Sequence, residues 1–177
     1  MRETNEFYFF WKHEFGQWTQ REIVDCKGIK YNCCEQYMMY QKALLFNDLE
    51  TAEKILAEKE PKAQKNLGRQ IKNYSEKVWE MHRIPIVTAG NLLKFSQHED
   101  LGRRLLRTNN KILCEASPFD NIWGCGVDSK DDKILNMNNW TGMNLLGQCL
   151  MTVRSVIREA VTDTPETPTK TSKERVL

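Results

Sequence analysis

An acid and an amine, Glu35 and Lys42, stand seven residues apart in the stretch CEQYMMYQKALLF (residues 34–46). On a helix that spacing brings both to within about 20° of one face and ~10 Å along the axis. Tyr37, Met38, Met39, Tyr40, Ala43, Leu44, Leu45 and Phe46 surround them with apolar surface. Ionised groups buried there without partners cost several kcal/mol each, so a polar cavity is the cheaper solution. A carboxylate in a first helical turn is stabilised as an anion and suits a base or a stabiliser of positive charge. A lysine in apolar surroundings has its pKa lowered, which makes a neutral amine available as a nucleophile. A carboxylate facing a second acid is also the equipment of glycosidic cleavage, whose transition state is an oxocarbenium ion. Asp120, near Trp123 in the glycine-bearing stretch SPFDNIWGCG, is the candidate second acid.

Each of these residues has an architectural reading as well. Asn32 followed by Glu35 matches a helix-start signature in which the acid reaches back to the backbone of the cap residue. Asp120 suits an Asx turn. Both readings stay open at the level of sequence.

The elements that must position these residues are mainly helical. FYFFW (Phe7 to Trp11) is a bulky aromatic run that suits a buried strand. REIVDCKGIKY predicts a hairpin, with Asp25 to Gly28 as the turn between Ile23-Val24 and Ile29-Tyr31. DLETAEKILAEKE reads as a helix ending at Pro61, and PKAQKNLGRQI restarts with proline at a first helical position. SEKVWEMHRI is expected to stop at Pro85, with IVTAGNLLKF and EDLGRRLLRT as further short helices. KILCEA is strand-like and SPFDNIWGCG a loop. In GMNLLGQCLMTVRSVIREA, Met143, Leu146, Leu150, Val153 and Ile157 recur at helical spacing as a core stripe. The expectation is one mainly α, compact domain over residues 1–160 with a small N-terminal β-hairpin or sheet. Residues 161–177, rich in Thr and Pro, cannot offset their ordering entropy by burial and read as a disordered tail.

Composition narrows the partners. The 177 residues are 40% hydrophobic, enough for one core, and the formal net charge of +2 lacks the basic footprint of a general nucleic-acid binder. No apolar run long enough to span a membrane and no leader pattern occurs, so a soluble, cytoplasmic protein without membrane attachment is expected. The six cysteines include no CxxC pair and the three histidines are scattered, so free thiols and no metal are expected. Of the adjacent Cys33 and Cys34, one is expected to pack and the other to be reactive. Nothing in the composition sets an oligomeric state.

Four separated motifs, CEQYMMYQKALLF, VWEMHRIPIVTAGNLLKF, FDNIWGCG and GMNLLGQCLMTVR, resemble in order and spacing those of the NADAR, or YbiA-like, family, over about residues 7 to 159. The resemblance implies a compact, mainly helical YbiA-like fold and an N-glycosidase without cofactor that cleaves a ribose C1′–N bond. Its substrates would be phosphorylated ribosylamino intermediates of riboflavin synthesis or ADP-ribose attached to guanine, the latter including ADP-ribosylated nucleic acid. Carried over by position, Glu35, Lys42 and Asp120 would be catalytic and Trp79 a base-stacking residue. Gly68-Arg69 resembles the family's Gly-Arg element, a phosphate contact, and Gly142, Asn144 and Gly147 match its G-x-N-x-L-G. Trp123 and Gly124 complete the loop set.

Departures from the family pattern fall at the substrate end. Its aromatic-Ser-Asn-aromatic stretch reads FGQW here, so Phe15 and Trp18 flank a Gln17 that replaces a ribose-binding amide, and Cys125 stands where some members have Asp. VDSKDDKILNMNNW lengthens the loop before Gly142. Apart from the resemblance, Trp79 reads as a core tryptophan, Arg69 as a solvated arginine, and Phe15 and Trp18 as cover for the core edge. Two other functions compete with the enzyme: a nucleotide sensor that binds ADP-ribose without cleaving it, and a helical interaction protein. The Glu35–Asp120 acid pair, which binding alone does not need, favours the enzyme.

Overall fold

Phe7, Phe9 and Phe10 are buried on both faces of their strand, as befits a strand whose covered faces sit inside a helical shell. The computed structural model describes residues 2–162. A short strand β1 (Arg2–Glu3) pairs antiparallel with β2 (Phe7–Phe10), and β3 (Ile23–Val24) and β4 (Lys30–Tyr31) form the expected hairpin. Asp25 closes that turn by accepting from the backbone amides of Lys27 and Ile29, both at 2.9 Å. Helices α1 (Cys34–Leu45), α2 (Leu49–Ala57), α3 (Pro61–Gly68), α4 (Glu76–Gln97) and α5 (Glu99–Arg107) follow. They lead to β5 (Ile112–Glu115), which joins β2 in parallel with Phe7 opposite Ile112 and Phe10 opposite Glu115. The last element is α6 (Leu145–Thr162).

The main core lies where α4 packs against α1 on one side and α6 on the other, with α6 also on β5 and Phe10, Phe15, Val87, Phe95, Leu113, Leu146, Leu150 and Val153 at its centre. A smaller one holds Phe7, Phe9, Cys114, Ala116, Cys125 and Ile134. The segment VDSKDDKILNMNNW, built of two 3-10 turns (Asp132–Leu135 and Met137–Asn139), closes it. The Trp140 indole donates to the Ile134 carbonyl at 2.8 Å and packs edge-on against Phe7.

Several expectations need correction. Pro85 does not end a helix: α4 runs unbroken through it. Pro85 and Met81, four residues earlier, lie on the exposed face, so water can satisfy the carbonyl that loses its donor. Met143 is 47% exposed and precedes α6, because Asn144 takes a left-handed φ of 51° that no helix continues. Cys33 and Cys34 are both buried, and burial pushes their thiols up to about 12 and about 11, so neither is the reactive one. α6 reaches Thr162, and the remainder of the expected tail lies outside the described residues.

Where α6 crosses β5 the fit leaves no room for a side chain. A Cβ on Gly147 would lie 2.1 Å from the Leu113 carbonyl oxygen and 2.5 Å from Asn144 Nδ2. Neither can move freely, because Asn144 Nδ2 donates to that carbonyl (2.9 Å) and Asn144 Oδ1 accepts from the Glu115 amide (3.0 Å). Gly147→Ala is expected to lower the unfolding free energy by about 2 kcal/mol with an unchanged m-value in urea titrations. Wild-type stability would show that helix and strand are not in hard contact.

Candidate active site

Helix α1 starts differently from the capping signature. Cys33 is the cap residue, but its thiol donates to Gln64 Oε1 (3.4 Å) and does not cap the helix, while Gln36 reaches back to accept from the Asn32 amide at 2.7 Å. The Gln36 amide also donates to the carbonyls of Ile55, Leu56 and Glu58, fixing the helix start against the end of α2. Glu35 is thereby released from capping. Its backbone N–H donates to the Gln17 carbonyl (3.0 Å), and its side chain, 3% exposed, turns into a cavity of about 820 Å³.

Three segments meet there. The loop after β2 brings Trp11, Lys12, His13, Gln17 and Trp18, and it is held from beneath by Lys94, whose Nζ donates to the carbonyls of Glu14 and Gly16. Burial lowers the Lys94 pKa, and among the described residues no carboxylate accepts from it: the lysine is spent on the loop backbone. Helices α1, α3 and α4 supply Glu35, Met38, Met39, Lys42, Lys62, Lys65, Gly68, Arg69 and Trp79. The end of β5 and the following loop supply Glu115, Ser117, Phe119, Asp120 and Trp123.

That last loop is stitched to the start of α6. The amides of Leu145 and Leu146 donate to the carbonyls of Ile122 and Trp123, each at 3.1 Å, so the loop satisfies N–H groups that a helix start leaves unpaired. Gly124 permits the tight approach, since a Cβ there would lie 2.8 Å from the Asp120 carbonyl oxygen. Asp120 is an Asx-turn residue and a cavity residue at once. Its Oδ1 accepts from the amides of Ile122 (2.9 Å) and Trp123 (2.8 Å), which fixes the carboxylate at the cavity wall.

Of the residues singled out from sequence, Gln17, Trp18, Glu35, Lys42, Gly68, Arg69, Trp79, Asp120 and Trp123 line this cavity. Phe15, Gly124 and Asn144 do not; Phe15 is core, and the other two hold the loop and β5 in place. Glu115 was missed. Within KILCEA it reads as a strand residue, and the signal that could have found it is its position at the C-terminal end of a parallel strand, where sites are commonly built.

The electrostatics follow from burial. Desolvation pushes the Glu35 carboxyl up to about 7, against the pull of Lys65, a hydrogen bond from Trp18 and Lys42, and Asp120 adds to the rise. Desolvation pushes Glu115 up to about 8, reinforced by the charges of Asp120 and Glu35. Lys42 is lowered, first by desolvation, and its Nζ donates to the Gly68 carbonyl (2.9 Å) while lying 4.3 Å from the Tyr74 ring centroid and 5.4 Å from that of Trp79. Three buried polar atoms of cavity-lining residues have no partner among the described residues: Glu35 Oε1, an acceptor, His13 Nδ1, and Gln17 Nε2, a donor whose amide is oriented by Asn91 Nδ2 bonding Gln17 Oε1 at 2.8 Å. Among the described residues no group of His, Cys, Asp and Glu is arranged to hold a metal ion, and no helix is long and apolar enough to cross a membrane.

Acidic, amine and aromatic groups converging in one cavity give this helical protein the acid–base equipment of an enzyme for a small polar group. The chain belongs to the NADAR family, whose domain profile matches residues 2–158. It is 41% identical over 164 residues to N-glycosidase R617 of Acanthamoeba polyphaga mimivirus, covering 86% of this chain and 96% of that protein. N-glycosidase Npun_R5314 of Nostoc punctiforme is 33% identical over 124 residues, 70% of this chain and 72% of its own. The NMR structure of the E. coli protein YbiA superposes with a TM-score of 0.74 at 23% identity, over 92% of this chain and 90% of that one, and shows the same fold.

The raised Glu35 pKa sets a stability signature. Folded Glu35 holds its proton more tightly than the unfolded chain, whose ordinary value is 4.5. Its contribution is therefore complete below that value and is lost as pH rises toward about 7. Glu35→Gln should change stability little at pH 5 and raise it by on the order of 2 kcal/mol at pH 8. Urea titrations at the two pH values check this, and equal effects at both would mean that the carboxyl titrates normally.

Proposed function

We propose that the protein is an N-glycosidase that hydrolyses the ribose C1′–N bond of a phosphorylated ribosyl or ADP-ribosyl base. The observation that carries the reading is the pair of partnerless buried atoms: Gln17 Nε2 as donor and Glu35 Oε1 as acceptor are matched to sugar hydroxyl groups. The names of the mimivirus and Nostoc relatives support the reaction type.

In this reading Trp79 and Trp18 contact flat groups, and Arg69 with Lys62 and Lys65 meets phosphate. Glu115 keeps its proton at neutral pH and gives it to the leaving nitrogen as the C1′–N bond breaks, while Asp120 orients the ribose. The Glu35 carboxylate faces the positive charge that develops at C1′. A water then adds its hydroxide to C1′ and returns a proton to Glu115. Lys42 serves this sequence in one of two ways, by holding the ribose or by first bonding its neutral amine to C1′, with the adduct released by water as free ribose and amine. For a nucleic-acid substrate the near-neutral charge favours a single unpaired or flipped base over long duplex contacts.

A panel of ribosylaminopyrimidine phosphate, an ADP-ribosylated guanine oligonucleotide and NAD tests the substrate class; cleavage of none of the three would sink it. For the substrate cleaved, kcat/KM should be bell-shaped, falling below about 7 as Glu35 gains its proton and above about 8 as Glu115 loses its own. Glu35→Gln should reduce the rate by roughly 10²-fold or more with the fold intact. Borohydride added during turnover should fix a ribosyl adduct on Lys42 if the amine route operates, and full activity in Lys42→Ala would remove the lysine from both routes.

A further inference from the structure

Phe119 is 86% exposed although it lines the cavity. Leaving a phenyl ring in water forgoes about 1.5–3 kcal/mol of burial, so its place at the mouth needs a reason. The same turn supplies one. Asp120, held inward by the Ile122 and Trp123 amides, forces its neighbour to the rim, where the Phe119 ring stands 6.0 Å from Trp11 at an interplanar angle of 48°. Two aromatic faces are thus presented side by side outside the acidic part of the cavity.

What surrounds them is polar and points the same way. Lys12 adopts a left-handed φ of 48°, a conformation that costs free energy in a residue with a side chain, and its Nζ lies 4.5 Å above the Trp11 ring. Next to it, His13 lines the cavity with Nδ1 buried and without a partner. The mouth therefore offers two ring faces, a cation and an unsatisfied imidazole nitrogen, continuous with the space that Glu35, Glu115 and Asp120 line.

We propose that Trp11 and Phe119 form a second planar-ring subsite at the cavity mouth, with Lys12 and His13 placed for the phosphate that links this ring to the ribose held within. It takes the distal nucleoside of a substrate with two flat rings joined through phosphate, that is, a nucleoside diphosphate whose terminal phosphate carries the base-bearing ribose held within. This inference rests on the reading of the inner cavity as a ribosyl site and adds the far end of the substrate to it. Base–aromatic stacking of this kind is worth about 1–3 kcal/mol per base and tolerates different bases, so the subsite selects for a second ring and not for its identity.

The test uses the full chain, with ADP and ribose 5-phosphate as calorimetric probes. Wild-type protein should bind ADP at least about tenfold more tightly than ribose 5-phosphate. Phe119→Ala should weaken ADP binding about tenfold and Phe119→Trp should restore it. Phe119 has little packing to lose, so an unchanged melting temperature is expected in both variants. Weak or equal binding of the two probes by the wild type, or full ADP affinity in Phe119→Ala, overturns the subsite. The two readings fail separately. Phe119-dependent ADP binding without cleavage of any ribosylated base keeps the subsite and removes the hydrolase; cleavage with Phe119-independent ADP binding does the reverse.

Discussion

Folding the Glu35 carboxyl into an apolar wall with one oxygen unpartnered costs free energy that the surrounding packing must offset. Much of the architecture can be understood as the means of holding that group still. Its amide is fixed by the Gln17 carbonyl, its helix start by Gln36, and the loop that carries Gln17 by the buried ammonium of Lys94. Behind these contacts lies the core between α1, α4 and α6, whose Leu146, Leu150 and Val153 are fully buried. A stable core is what lets one strained electrostatic position persist.

Two kinds of buried polar group bear on the cavity. Lys94, Gln36 and Asn144 have partners, all or nearly all of them backbone groups, and each pins a segment that supplies cavity residues. Glu35 Oε1, Gln17 Nε2 and His13 Nδ1 lack partners, and the residues that carry them line the cavity. The partnered groups build the scaffold and the three unpartnered ones at the cavity are placed for a ligand, whereas Arg83 Nε and Asn91 Oδ1, also without a partner among the described residues, belong to residues outside the cavity lining. The division explains why residues of the same chemical type, such as Gln17 and Gln36, have opposite roles.

Three carboxyl groups in one cavity also constrain one another. The Asp120 charge raises the proton affinity of Glu35 and of Glu115, and Glu35 raises that of Glu115, so the site retains protons near neutral pH, while Lys65 opposes the rise in both glutamates and Lys42 opposes it in Glu35. An enclosure that holds both a protonated acid and a carboxylate can donate a proton and stabilise a cation in one event. The cations arise chiefly on α3 and its end, the acids on α1, β5 and the loop after it, so the charge pattern is set by how these elements are brought together.

Local chemistry in the sequence was enough to determine the helical character of the chain, the β3–β4 hairpin, the restart at Pro61, and the pairing of Glu35 with Lys42 on one helix face, because these depend on spacing within a few turns. It was also enough for Asp120, whose Asx turn and glycine-bearing loop are local features. Pro85 was misleading, since whether a proline breaks a helix depends on whether the freed carbonyl faces water, and that is decided by which face is buried. Glu115 was invisible for a related reason: nothing within KILCEA distinguishes it until β5 pairs with β2 and its end opens onto Glu35 and Asp120. Whether Glu35 caps a helix or faces a cavity was likewise settled by tertiary structure, because Gln36, anchored on the end of α2, took the capping role. Sequence fixes which groups are present and their local spacing; desolvation and charge coupling, which turn a carboxyl into an acid at neutral pH, arise only when distant segments enclose it.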